Sequence, residues 1–146
     1  IGTDGAASND SQDMLQAVKS AALLQKVHAL DPSVIDARTV FEMATIDGAR
    51  ALGLSHLVGS IEPGKRADVV LYQDTVDVSV LHDPYGQLVY GASPRSVAAV
   101  WVDGRRVVDD HRCVSVDEGA QIARSRPLAR HIARDSRLAR EGSSVL

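Results

Sequence analysis

The stretch "VAAVWVDGRRVV" constrains the fold more than any other part of this chain. Two apolar runs flank the dipeptide Asp103-Gly104, and a two-residue Asp-Gly linker is typical of a tight β-hairpin. Another strand is predicted for Ala67 to Tyr72, shortly after a Pro63-Gly64 pair that suits the centre of a type II turn. This part of the chain therefore predicts antiparallel strands.

Helical patterns precede these strands. Ser11 or Asp10 is the predicted cap of a first helix, which Asp31-Pro32 ends. Its apolar stripe is Met14, Leu15, Val18, Ala21, Ala22, Leu24 and Val27. A second helix is predicted from Asp36, a good N-cap, to a C-terminal glycine at Gly53. Its inward residues are predicted to be Val40, Phe41, Ala44 and Leu52.

The chain after Asp117 predicts a further helix. Ser115 and Glu118 have the spacing of a capping box, and Pro127 is expected to kink or divide the segment. The segment is basic because it carries Arg124, Arg126, Arg130, Arg134, Arg137 and Arg140. A solvated helix face is the favoured interpretation. A polyanion-binding arm is the alternative, disfavoured because aromatic residues are scarce.

The order of these elements favours a small α+β domain. A long connection, "DTVDVSVLHDPYGQLVYGASPR", separates the strand regions, and such connections are often functional or pack on another part of the protein. Only three or four strands are visible, and the first helices lack an obvious sheet to cover. This imbalance suggests that structural partners are missing.

Composition excludes several classes of protein. The formal net charge of −3 argues against nucleic-acid and membrane-surface partners. No apolar run approaches the roughly 20 residues that span a bilayer, and no leader pattern is present. The single cysteine, Cys113, excludes an intrachain disulfide and fits a reducing compartment. We therefore predict a cytoplasmic protein, or part of one.

Asp4, in "IGTDGAAS", is the main candidate for chemistry. It follows a plausible strand end and precedes small residues that let a ligand approach the backbone. The residues leave two interpretations open: an ordinary turn aspartate, or a metal ligand or general base at the end of a barrel strand. The histidines are scattered and show no metal-binding spacing, and His82 in "LHDP" is the best placed of them. Cys113 is interpreted as a small buried hydrophobe.

Four stretches, taken in their order along the chain, favour the second interpretation of Asp4. They are "GTDGAASND", "ATIDGARALGL", "GSIEPGKRADVVLY" and "LVYGASPRSVAAVWVDGRRVV". Together they resemble the C-terminal part of the amidohydrolase superfamily, up to about Val108. "GTDGAAS" is most similar to the aminohydrolase branch, which includes cytosine and guanine deaminase-like enzymes, S-adenosylhomocysteine/methylthioadenosine deaminases and triazine hydrolases.

The resemblance implies an α/β fold: the C-terminal part of a (β/α)8 barrel, with strands of a flanking small β-sandwich and a C-terminal helix. Residues 1–56 would form the end of the metal-dependent hydrolase barrel. Residues 57–114 would form the sandwich strands, with the connection 73–96 packing back toward the barrel, and residues 115–146 a helical segment. Because a whole barrel needs roughly 200 residues or more, we expect this chain to be a fragment.

The resemblance also implies an activity for the full-length parent: a hydrolase of C–N bonds other than peptide bonds, which deaminates a purine, pyrimidine or triazine-like ring by attack of metal-bound hydroxide. Asp4 matches the family's metal-binding aspartate and is thus expected to be both ligand and catalytic residue. The remaining ligands of one divalent metal, zinc or alternatively iron, would lie upstream. Ser8 and Asn9 follow closely and are expected to orient the substrate or to support the loop.

Further expectations complete this hypothesis. The parent is expected to act on a small heterocyclic molecule as a homo-oligomer, and the fragment alone to be inactive. Lys65, Arg66 and Asp68 are expected to be structural. The alternatives are a chlorohydrolase or ring-amide hydrolase of the same superfamily, and a non-catalytic binding or scaffold module that retains the framework.

Overall fold

A computed structural model describes residues 1–76, 78–79 and 83–142, with side chains as far as residue 135. It divides into two compact units, the first from Ile1 to Arg112 and the second from Cys113 onward. The helices are α1 (Met14–Ala29), α2 (Ala37–Ala44), α3 (Ile46–Ala51), the single turn α4 (Pro84–Gly86) and α5 (Glu118–Gly142). The strands are β1 (Val69–Tyr72), β2 (Val97–Val102), β3 (Arg105–Asp109) and β4 (Arg112–Cys113).

Helix α1 begins at a different cap from the one predicted. The side chain of Asp13, rather than that of Ser11 or Asp10, accepts hydrogen bonds from the first backbone N–H groups of the helix. Ser11 instead accepts from the backbone N–H of Asp13. The helix ends at Leu30 in a left-handed conformation, just before Asp31-Pro32 as expected. The buried stripe is narrower than predicted, because Leu24 and Val27 are 71% and 69% exposed.

The predicted second helix is in fact two helices. Asp36 caps α2, and the backbone N–H of Thr39 holds the pKa of the Asp36 carboxyl below its usual value. Thr45 then breaks the helix at φ −122° and ψ −100°, while its hydroxyl donates to the carbonyl of Phe41. Helix α3 follows and ends near Gly53, whose φ is +72°. Leu52, which was predicted to face inward, is the residue directly after α3 and is 76% exposed.

The helical core of the first unit includes part of the long connection. Val18 and Ala22 of α1 pack with Val40 of α2 and with Val89, which lies in a π-helical turn, Gln87–Gly91, directly after α4. The rings of Tyr85 in α4 and Phe41 make an edge-type contact, with 5.6 Å between their centroids. Residues 84–91 are therefore ordered structure that closes the core of α1 and α2.

The sheet has the strand order β1-β2-β3-β4. Strands β1 and β2 are antiparallel, with Val70 opposite Val100, and β2 and β3 form the predicted hairpin. Asp103 and Gly104 have φ values of +52° and +74°, which are those of a type I′ turn. The turn before β1 is also confirmed, since Gly64 has φ +91° and the N–H of Lys65 donates to the carbonyl of Glu62.

The second unit is built around α5. Asp117, rather than the predicted pair Ser115 and Glu118, supplies the N-terminal cap, because its side chain accepts from the N–H of Ala120. Pro127 lies inside the helix and does not divide it. The arginines from Arg124 to Arg134 are exposed, as a solvated helix face requires. Among the described helices, none is long and apolar enough to span a membrane.

Candidate functional site

Asp4 lies in an exposed loop before α1 and has a left-handed backbone, with φ +64°. This conformation costs a residue other than glycine about 1–2 kcal/mol. The N–H of Gly5 donates to Oδ1 of Asp4 at 2.7 Å. Within the described residues, Oδ2 has no hydrogen-bond partner. The contact with Gly5 therefore orients the carboxylate through Oδ1. Oδ2 is left open to a ligand.

Two side-chain amides hold the loop around Asp4. Nδ2 of Asn9 donates to the carbonyl of Thr3 at 2.9 Å, and its Oδ1 accepts from the N–H of Ser11 at 3.3 Å. Nε2 of Gln12 donates to the carbonyl of Asp4 at 3.2 Å. The hydroxyl of Thr3 also donates to the Asp4 carbonyl, at 3.3 Å. We call the side-chain amides of Asn9 and Gln12 the amide clamp.

The two other predicted site residues differ in what they contact. The backbone N–H groups of Ser8 and Asn9 both donate to the carbonyl of Gly5 at 2.9 Å, so both residues belong to a turn that begins directly after Asp4. Asn9 uses its amide within the loop, whereas the hydroxyl of Ser8 has no partner in the described part of the chain. Sequence reasoning did not find Gln12. The one indication of Gln12 in the sequence is its closeness to Asp4, which also pointed to Asn9.

The histidines do not join Asp4 in the part of the chain that is described. Across these residues, no group of three or more His, Cys, Asp or Glu side chains is arranged to hold a metal ion. His111 contacts Gln73 at 3.0 Å, and His131 lies 3.4 Å from Asp135 within α5. His82, the histidine that the sequence favoured, lies outside the described residues.

A large apolar cavity of about 1330 Å³ adjoins this loop in the first unit. Ile1 and Gln12 line it beside Val69 of β1, Tyr72 and Tyr85. Burial raises the pKa of the Tyr72 phenol, and the nearby Asp13 carboxylate raises it further. The cavity surface is mostly apolar, and the polar residues Ser11, Gln12 and Asp13 line it next to the loop of Asp4.

The chemistry of Asp4 fits a divalent metal. A carboxylate oxygen is a normal ligand for zinc and iron, and an exposed carboxylate with one open oxygen supplies such a ligand without losing its existing hydrogen bond. The carboxylate of Asp68, which the sequence predicted to be structural, accepts from the N–H of Asp103 at 2.6 Å and so links the residue before β1 to the hairpin turn.

Comparison with known proteins defines the class of this chain. Residues 1–107 match the model of the amidohydrolase family. The chain is 44% identical over 133 residues to a 5-methylthioadenosine/S-adenosylhomocysteine deaminase of Desulforudis audaxviator, covering 90% of this chain and 31% of that protein. It is 44% identical over 119 residues to a 5′-deoxyadenosine deaminase of Methanothermobacter thermautotrophicus, covering 81% of this chain and 27% of the relative.

Similarity to solved structures supports the same family. An adenosine deaminase from Xanthomonas campestris with bound zinc superposes with a TM-score of 0.86 at 38% identity, covering 92% of this chain and 31% of that one. A zinc complex of atrazine chlorohydrolase from Arthrobacter aurescens superposes with a TM-score of 0.74 at 30% identity, covering 85% and 28%. The chain belongs to the amidohydrolase family, and it spans about 31% of the length of the first of these relatives.

Proposed function

We propose that this chain is the C-terminal portion of a metal-dependent aminohydrolase that removes an amino group from a nitrogen heterocycle. The observation that carries the proposal is Asp4, an exposed carboxylate with one oriented and one open oxygen. It stands in a chain whose relatives are named as deaminases of adenosine-type compounds. A purine is therefore the favoured ring, ahead of a pyrimidine or a triazine.

The proposed architecture follows the family resemblance. Residues 1–56 would form the end of a (β/α)8 barrel, residues 57–114 strands of a small β-sandwich, and residues 115–146 a C-terminal helical segment. The mixed helix and strand content and the likeness to the zinc-bound adenosine deaminase support this arrangement. The contact of Tyr85 with Phe41 supports a connection 73–96 that returns toward the residues of the proposed barrel.

We propose that Asp4 is a ligand of one divalent metal, zinc ahead of iron, and that the remaining ligands belong to the rest of the parent protein. The zinc in two structurally similar proteins supports the choice of metal. When bound, such an ion supplies Lewis-acid activation of water near neutral pH. The Asp4 carboxylate would hold its open oxygen toward the ion while Gly5 fixes the other oxygen. Ser8 would contact the substrate with its hydroxyl.

A second candidate keeps the site and changes the leaving group. The likeness to atrazine chlorohydrolase favours hydrolytic removal of chloride from a triazine as this alternative. A non-catalytic module that retains the framework is the remaining alternative. A homo-oligomeric state and a cytoplasmic location stay predictions from the sequence.

The test uses the full-length parent protein, loaded with zinc. We expect ammonia release from adenosine, 5′-deoxyadenosine, 5′-methylthioadenosine or S-adenosylhomocysteine, about one zinc per subunit, and loss of both in Asp4→Ala. Asp10→Ala, which removes a neighbouring exposed carboxylate, is the matched control and should retain both. Chloride release from a chlorinated triazine without ammonia release would favour the chlorohydrolase.

Two other outcomes would contradict the proposal. A folded parent protein that binds zinc but releases neither ammonia nor chloride would favour the non-catalytic module. Robust ammonia release by the isolated 146-residue chain would show that the site does not depend on residues outside it.

A further inference from the structure

The amide clamp contacts the two peptide groups that flank Asp4. The carbonyl of Thr3, which Asn9 binds, belongs to the peptide group before the Cα of Asp4. The carbonyl of Asp4, which Gln12 binds, belongs to the peptide group after it. Because peptide groups are planar, the orientations of these two planes define φ and ψ of Asp4. The clamp therefore acts on both free rotations of the backbone at this residue.

The conformation that the clamp holds needs such support. Asp4 has φ +64°, which L-residues other than glycine adopt only at an energetic cost, although aspartate tolerates it better than most. Rotation of either peptide group would change the direction of the Cα–Cβ bond and with it the position of the carboxylate. The N–H of Gly5 belongs to the same peptide group as the Asp4 carbonyl, so its contact with Oδ1 ties the carboxylate to the group that Gln12 holds.

The clamp is also tied to the start of α1. Oδ1 of Asn9 accepts from the N–H of Ser11, and the hydroxyl of Ser11 accepts from the N–H of Asp13, the cap of α1. Gln12 stands directly before that cap. The loop of Asp4 is thus anchored to the start of α1. The residues Val18 and Ala22 of this helix pack in the core of the first unit.

We propose that Asn9 and Gln12 are positioning residues that fix the backbone of Asp4 so that its open carboxylate oxygen is directed at the metal. This inference rests on the proposed function and goes beyond it, because it assigns Asn9 a role through Asp4 rather than a contact with substrate. Loss of either amide widens the range of carboxylate positions in the folded protein and weakens metal binding.

The experiment measures the zinc Kd by chelator competition, together with Tm, on the full-length parent protein. Gln12→Met and Asn9→Leu remove the amides with little change in side-chain size. Each is expected to raise the zinc Kd about 10-fold, as is usual for residues that orient a metal ligand. Gln16→Met makes the same change at an exposed position of α1 and should keep the wild-type Kd.

The outcomes separate this inference from the proposed function. A merely structural role would lower Tm and leave the zinc Kd of the folded protein unchanged, and a Gln12→Met Kd equal to that of Gln16→Met would overturn the inference. Asp4→Asn tests the ligand itself. If Asp4→Asn weakens zinc binding and the clamp variants do not, only the positioning role fails. If Asp4→Asn binds zinc like the wild type, the proposed ligand fails. Should Asn9→Leu not fold, Gln12→Met decides.

Discussion

The chain contains two exposed Asp-Gly pairs that share an unusual backbone at aspartate. Asp4 and Asp103 have φ values of +64° and +52°. At the second pair Gly104 is also left-handed, at +74°, which completes a type I′ hairpin turn. Gly5 is not left-handed, so the first pair belongs to no such turn. The same dipeptide therefore serves two different local structures.

The difference lies in what holds each aspartate. At Asp103 the strands β2 and β3 impose the turn, and Asp68 accepts a hydrogen bond from its N–H. At Asp4 no strand pair is involved, and side chains several residues later in sequence bind the flanking carbonyls. The carboxylate of Asp103 faces the Arg66 side chain at 3.7 Å, whereas the carboxylate of Asp4 is bound by the backbone N–H of Gly5 at 2.7 Å.

The largest expected effect separates the two aspartates by function. Asp4→Asn removes the charge of the proposed metal ligand and should lower turnover of the full-length parent by orders of magnitude, with loss of zinc. Asp103→Asn should leave turnover unchanged, because asparagine suits the left-handed position of a type I′ turn and the ion pair with Arg66, at 3.7 Å, is exposed. Steady-state kinetics and zinc analysis measure both. Equal turnover in the two variants would remove the functional distinction.

The two glycines should differ in stability. Gly104→Ala places a side chain at φ +74° and should lower the free energy of unfolding by about 1–2 kcal/mol. Gly5→Ala should cost less than about 0.5 kcal/mol, because its φ is not positive and a Cβ there would meet no atom within 4 Å. Urea unfolding measures both. A larger loss for Gly5→Ala would mean that the loop depends on glycine as the hairpin does.

The smallest expected effect concerns the support of the hairpin. Asp68→Ala removes the acceptor of the Asp103 N–H, a bond of 2.6 Å at an exposed position, and should cost about 1 kcal/mol of stability. Asp74→Ala makes the same change of charge at another exposed position and is the control. Zinc content and turnover should remain unchanged in both variants. A loss of zinc in Asp68→Ala would show that the sheet and the site are coupled.

Local patterns predicted much of the fold. The hairpin at Asp103-Gly104, the turn at Gly64 and the cap at Asp36 are confirmed, because each depends on neighbouring residues alone. The helix break at Thr45 was not predicted, since a β-branched residue is compatible with a helix until its hydroxyl bonds back to Phe41. The exposed Leu24 and Leu52 were also missed, because periodicity cannot tell which apolar positions find a partner.

At the candidate site, too, some features were predicted from the sequence and others were not. Asp4 was predicted from "GTDGAAS" and from three later stretches in the right order, and the amidohydrolase family that these stretches predicted is confirmed. The amide clamp was not recognisable, because nothing in the spacing of Asn9 and Gln12 states which carbonyls their amides reach. Asn9 was expected at the site for its proximity alone.

By itself the sequence determined the turns at Gly64 and at Asp103-Gly104, the cap at Asp36 and the family. These features depend on preferred dihedral angles and on hydrogen bonds between near neighbours, which residue identity specifies directly. Only the tertiary structure decided how residues 84–91 close the core of α1 and α2, and how Asp4 is held. The first depends on packing between distant parts of the chain, and the second on which carbonyls the amides of Asn9 and Gln12 reach in the folded loop.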